Sequence, residues 1–336
     1  MFKLADPTPP PSDPHAGHHG GMEMPAASDP GPVGQVVGFD DLASWQPSAG
    51  WLVAIVVLGI AYAVGVALLR SGGIHWPIGR TVGWFLGLLT MLATTCTGVG
   101  QLGMVLFSVH MAQHMVLSML TPILLLLGAP ITLALRALPA RSAVRRGVLT
   151  VLHSRLARLM SYPGVTVPTF VVSLFGLYFT GLFDLAMSSH VGHHLMLIHF
   201  LLVGLLFFGP ILRVDPWPRR TAPGLRLVEM LIAVPFHAFF GVIVMQAAAP
   251  LSATMAESAY RLGVDPLADQ ATGGGVAWGF GEAPIVLVTL VVFVQWLRSD
   301  RREAARLDRQ AARDGDAALA AYNAKLQLLH ESSSAR

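Results

Sequence analysis

Thirteen histidines stand in a chain that has a single cysteine, Cys96, and most of them lie in or beside apolar stretches. His110 with His114, and His190 with His194, are four residues apart. On a helix that spacing puts two ring nitrogens on one face, a common way to chelate a metal. His193 lies inside the second pair, His199 follows it, His237 stands two residues after Pro235, and Glu282 adds a carboxylate further on. A second signal comes near the start, where DPHAGHHGGMEMP carries His15, His18, His19, Met22 and Met24. Thioether suits Cu(I) and imidazole suits copper in either state, while one cysteine leaves no CxxC motif and no intramolecular disulfide. Met104, Met111, Met115 and Met245 near the histidines fit copper too, although methionine in a membrane helix is usually packing.

These side chains need elements to hold them, and the composition says what kind. The 336 residues are 54% hydrophobic and 12% charged, about half the charged fraction of soluble domains. The mean hydropathy is +0.60. The chain reads as an all-α polytopic membrane helix bundle with seven transmembrane helices, near 51–69, 81–99, 109–127, 165–182, 191–212, 225–248 and 276–297, each close to the roughly 18 apolar residues a crossing requires. Pro122, Pro210 and Pro235 are tolerable there because neighbouring helices can satisfy the freed backbone groups. Residues 1–48 read as a disordered His/Met-rich extracytoplasmic tail without a secretory signal, 49–298 as the membrane domain, and 299–336 as an Arg-rich cytoplasmic tail. Gly273, Gly274 and Gly275 read as a flexible turn before the seventh helix. No strand precedes them and no Lys follows, so they are no phosphate cradle.

Orientation follows the positive residues, which cytoplasmic loops retain during insertion. Arg136, Arg141, Arg145, Arg146, Arg155 and Arg158 fill the third connection and Arg213, Arg219, Arg220 and Arg226 the fifth, while only Lys3 and Arg261 fall on the other side. The N-terminus is therefore expected outside and the C-terminus in the cytoplasm, in a bacterial plasma membrane. His110, His114, His190, His193 and His194 then lie at or just below the outer surface. His199 sits two to three turns deeper at about 1.5 Å per residue, His237 lies near mid-membrane, and Glu282 a turn or two into the last helix. His199 is about opposite His190, so it is expected to meet His237 instead, in one elongated site or two stacked ones. Any single histidine of this kind is as readily a hydrogen-bonding partner for a neighbouring helix, and His75, His153 and His330 are read as interfacial. The clustering of costly polar groups on one side argues for function.

Four runs in order carry a resemblance: HMAQHMVLSMLTPILLLLGAPITLALRALP (110–139), SSHVGHHLMLIHFLLVGLLFFGPILRVDPWPRR (188–220), VPFHAFFGVIVM (234–245), and DQATGGGVAWGFGEAP followed by QWLRSDRREAARLDR (269–309). Together they resemble the seven-helix CtaG-type cytochrome c oxidase assembly factors, over nearly everything from the second helix to the early C-terminal tail. The resemblance implies an assembly factor for haem-copper cytochrome c oxidase, with an oxidase subunit as partner and copper as the metal inserted. It places His110, His114, His194, His199 and His237 at the family's histidine positions and Glu282 at its carboxylate. The His/Met-rich tail lies outside the resemblance and supports copper independently.

On this reading the tail captures copper and passes it to His110, His114 and His194, His199 and His237 form a deeper station, and Glu282 balances charge or holds a histidine N–H. No residue implies catalytic turnover, so the protein is not expected to be an enzyme. A membrane haem-binding redox protein, a copper importer and an intramembrane zinc hydrolase share parts of the ligand argument. Retinal chemistry is excluded, since the only lysines, Lys3 and Lys325, lie outside the spans. The weak net charge of +3, with arginines placed in loops, gives no nucleic-acid surface. Alternating Arg and Asp after Trp296 read as a solvated helix face that could meet a partner or anionic headgroups.

Overall fold

The computed structural model describes residues 38–334 with the exceptions of 220 and 316. Of the described residues 82% are helical, and the one element of β character among them is an isolated bridge between Trp45 and Thr97. Seven long helices make the bundle: α1 (Ala49–Ser71), α2 (Ile78–Thr95), α3 (Phe107–Met115, carried on through a π-turn at Val116–Leu120 and by Thr121–Leu127), α4 (Pro163–Tyr178), α5 (His190–Leu212), α6 (Pro223–Met245) and α7 (Pro266–Asp314). Among the described residues five helices are long and apolar enough to cross a membrane: Ala49–Ser71, Phe107–Ala137, His190–Leu212, Pro223–Met245 and Pro266–Arg313. The other two fall short of the seven expected for physical reasons. α2 carries Arg80 and four threonines in 18 residues, and the 16 residues of α4 span about 24 Å, less than the hydrocarbon core of about 30 Å.

Apolar side chains point outward as well as inward. On α1, Val53, Val57 and Ile60 are all more than half exposed, a belt that suits hydrocarbon and not water. The core is built from the opposite faces, with Met111, Phe200, Phe207, Phe208, Met230 and Phe240 almost fully buried.

Close approach depends on glycine. α6 and α7 make the most extensive helix contact, and a Cβ on Gly274 would stand 2.6 Å from the backbone nitrogen of Met245 and 2.8 Å from the carbonyl of Gly241. The three glycines expected to form a turn therefore lie inside α7, which begins ten residues earlier than the sequence reading placed it. The signal was misread because glycine in a membrane bundle is as often the contact surface between two helices as a breaker. Gly204 does the same for α5, since a Cβ there would lie 2.1 Å from the carbonyl of Ser118. Ser118 belongs to the π-turn just before Pro122, where a wider turn relieves the proline ring's clash with the preceding carbonyls.

Other boundaries move by a few residues. The fourth helix ends at Tyr178 and a separate short helix, Leu182–Met187, follows it. In the segment read as a disordered tail, Phe39–Ala43 forms one helical turn with Gly38 donating to Asp41. At the far end α7 runs without a break through residue 298 and stops at Gly315, whose φ of 62 is a left-handed cap that favours glycine. Ala317–Ser334 is again helical.

Candidate metal-handling site

The site stands at the end of the bundle where α1, α3, α5 and α7 begin and α2, α4 and α6 finish. A polar frame fixes that end first. Asp269, in the first turn of α7, accepts from the amides of Phe107 at 2.6 Å and Ser108 at 3.3 Å, and also from the Ser108 hydroxyl. It thereby satisfies orphan donors at the start of α3. Gln270 accepts from the Leu251 amide at 2.7 Å and donates to the Ala249 carbonyl at 3.3 Å. Asp184 accepts from Ser252 Oγ at 2.6 Å and the Thr254 amide at 3.1 Å, and these bonds hold its carboxyl below its ordinary value. Gln113 Nε2 donates to the Thr94 carbonyl at 2.6 Å, tying α3 to the end of α2.

Inside the frame the imidazoles gather. His110 is completely buried, and its Nε2 lies 2.8 Å from the hydroxyl of Tyr178, the last residue of α4. His193, in the first turn of α5, is buried with its ring centre 6.2 Å from that of His110. One turn deeper on α3, the buried His114 meets the Phe200 ring edge-on at 4.0 Å and lies 5.5 Å from Tyr178. His237 is buried on α6, 6.4 Å from the ring of Phe170. It fits only because residue 281 on α7 is glycine: a Cβ there would come within 2.2 Å of the His237 ring.

Several nitrogens in this array have no hydrogen-bond partner: Nδ1 of His114, Nε2 of His193 and Nε2 of His237. Nδ1 of His110 also lacks a hydrogen-bond partner. Each buried, unsatisfied polar group costs about 1–3 kcal/mol, so the array burdens the fold. Neutral imidazoles in a dry setting are electron-pair donors to a borderline or soft cation. Among the described residues no three His, Cys, Asp or Glu side chains stand close enough to hold one ion together, so what the array offers is pairs.

The other expected residues are placed differently. His190 is exposed at the very start of α5. His194 accepts from Trp51 Nε1 at 3.2 Å. His199 is exposed and bonded to Ser173 on α4, and Glu282 is exposed on α7. His15, His18, His19, Met22 and Met24 lie outside the described residues. The i,i+4 pair on α3 is thus buried as a unit, whereas on α5 it is His193 that turns inward to meet it. His193 continues the buried stripe of Met196, Leu197, Phe200 and Gly204, the signal that could have singled it out. Tyr178 and Asp269 were not expected at all. A tyrosine closing a short apolar helix and an acid four residues before the glycine run of α7 were the available hints.

These features define a membrane-helix bundle with buried imidazoles at one end. Residues 60–299 match the model of the cytochrome c oxidase caa3 assembly factor (Caa3_CtaG) family, and the chain belongs to that family. It is 42% identical over 316 residues to uncharacterized proteins of Mycobacterium bovis and Mycobacterium tuberculosis, matching 92% of this chain and 47% of each of theirs. An uncharacterized protein of Mycobacterium leprae is 42% identical over 284 residues, 82% of this chain and 43% of its own length. The chain thus spans less than half the length of these curated relatives. No solved structure matches.

Proposed function

We propose that this protein assists the assembly of a haem-copper cytochrome c oxidase by handling copper in the buried imidazole array. In this reading the bundle crosses a bacterial plasma membrane seven times, with the histidine end outside and the C-terminus in the cytoplasm. The family supports the oxidase as partner and a role without catalytic turnover. The observation that carries the copper step is the group of unpartnered nitrogens on His114, His193 and His237 beside His110.

The pairing of His110 with His193 suits a transient guest. Ring centres 6.2 Å apart leave the span that two half-rings and two metal–nitrogen bonds of about 2 Å fill. A site of two imidazoles releases its ion more readily than a closed site of four, as delivery demands. Exchange among neutral imidazoles also spares copper the large cost of entering hydrocarbon bare. His114 and His237 lie deeper and provide the next donors. Residues 15–24 serve as the capturing arm, His190 and His194 as the approach at the surface, His199 as a donor facing a partner subunit, and Glu282 as a carboxylate on the surface such a partner covers.

Copper carried by the purified full chain tests this directly. The triple variant His110→Ala/His114→Ala/His193→Ala should lose at least nine-tenths of the copper bound by the wild type under a competing Cu(I) chelator, with its helical circular dichroism unchanged, while His75→Ala should lose none. Unchanged copper in the folded triple variant would remove the pocket. In cells, the same variant should lower oxidase copper content while leaving the haem spectra of the oxidase largely intact.

A further inference from the structure

The opposite end of the bundle holds a groove that the copper reading does not use. Between α3 and α4 lie two short amphipathic helices, Ala143–His153 and Arg155–Met160. The second of them, with the α5–α6 connection, walls an open groove of about 640 Å³ lined by Arg155, Arg158, Leu159, Tyr162 and Arg219. Arg158 also borders an adjoining groove of about 360 Å³ whose walls include Leu135, Leu149, Leu152 and Trp217. A cationic trough thus runs on, through Arg158, into one walled mostly by apolar residues with His153 among them.

Among the described residues no carboxylate forms an ion pair with these arginines. No acidic residue occurs between Asp41 and Asp184. The nearest carboxylate in the facing connection, Asp215, is engaged by the amides of Ile131 at 3.2 Å and Thr132 at 2.7 Å. Among the described residues the only ion pair is the distant Arg261–Glu257. Arg219 lies 4.6 Å over the ring of Tyr162, which keeps its guanidinium on the groove while leaving its N–H groups available. Leu156 and Leu159, both more than half exposed, give the short helix the apolar face of an element lying in a membrane interface.

We propose that these two grooves bind one anionic phospholipid, its phosphodiester among Arg155, Arg158 and Arg219 and an acyl chain along Leu149, Leu152 and Trp217. Guanidinium forks match phosphate oxygens in geometry as well as charge, and basic pockets at the cytoplasmic ends of helices suit such headgroups. The continuous apolar trough selects a lipid over free phosphate, which would gain nothing from it.

Native mass spectrometry of the full chain in detergent tests the site with phosphatidylglycerol, phosphatidylcholine and inorganic phosphate. Wild type should retain phosphatidylglycerol at least tenfold more than phosphatidylcholine. Arg155→Gln/Arg158→Gln/Arg219→Gln should remove that excess, and Arg301→Gln/Arg302→Gln on the exposed part of α7 should keep it. Should the triple variant not fold, Arg158→Gln alone, at the residue common to both grooves, should lower the excess at least threefold. Equal retention of the two lipids, an excess that survives in folded Arg variants, or displacement of phosphatidylglycerol by equimolar inorganic phosphate would overturn the assignment. Oxidase assembly is not read in this experiment, so its failure leaves the histidine end untouched.

Discussion

The two ends of the bundle both leave polar atoms unmatched, but with opposite chemistry. At the histidine end the unmatched atoms are imidazole nitrogens of His114, His193 and His237, which present lone pairs when the ring tautomer allows. At the arginine end, beside the Thr81 hydroxyl, they are Nε1 of Trp84 and Trp217 and Nε of Arg145 and Arg226, four groups that can only donate. Each end also has a carboxylate that fixes backbone amides, Asp269 on Phe107 and Ser108, Asp215 on Ile131 and Thr132. The scaffolding is therefore satisfied at both ends, and the unmatched groups sit within it. One end is suited to a cation and the other to an anion.

The comparison breaks most visibly if the ends are not independent. Gly274→Val puts side-chain atoms where the Met245 and Gly241 backbones already lie, and overpacking of this kind costs about 3 kcal/mol. We expect a fall in thermal unfolding temperature and loss of copper binding, with phosphatidylglycerol retention intact below that temperature. Loss of both ligands together in the folded variant would show that α6 and α7 couple the two ends.

Acid should separate the ends by sign. Asp184, at the histidine end, has a carboxyl held below its ordinary 3.8 chiefly by the Ser252 hydroxyl and the Thr254 amide. Its contribution to stability is present above 3.8 and is lost as pH falls through the lower folded value. Asp215, at the arginine end, is raised above 3.8 chiefly by burial. Its contribution is complete below 3.8 and declines as pH rises through the folded value. Hydrogen exchange corrected for intrinsic rates should therefore show the Thr254 amide losing protection from pH 5 to pH 2. The Ile131 and Thr132 amides should hold theirs or gain over the same interval. Parallel loss at both ends would mean that acid acts on the bundle as a whole.

Much of this architecture was legible, and what was not has a physical cause. Hydropathy marked the stretches where the helices of the bundle lie, five of them long and apolar enough to cross a membrane, and the i,i+4 spacing singled out His110 and His114, which are both buried. Hydropathy could not say which face of α5 turns inward, since lipid-facing positions such as Leu195 and Leu202 are as apolar as the buried Leu197 and Phe200. For that reason the sequence reading favoured His190 and His194 over His193. Frame residues such as Asp269, Asp184 and Gln270 escaped because their partners are backbone groups of connections far away in sequence, which no local pattern records. Gly273 and Gly274 escaped because their meaning lies on other helices, at Phe107 of α3 and at Gly241 and Met245 of α6.

The smallest expected effect bears on His194, a histidine at the rim that already has a partner. Trp51 Nε1 donates to His194 Nδ1 at 3.2 Å, so the His194 proton is assigned to Nε2 and its lone pair is occupied. As long as that bond holds, His194 positions α1 against α5 and cannot act as a donor to copper through Nδ1. Trp51→Phe keeps the apolar ring, removes the N–H, and should cost about 1 kcal/mol or less, read as a slight lowering of the unfolding temperature. If His194 is only a support, copper affinity stays as in wild type. If it is a gated ligand, the freed Nδ1 raises affinity, and the added His194→Ala change cancels the gain. Either result sharpens the contrast within the histidine end itself, between rings with free nitrogens in the core and rings already committed at the rim.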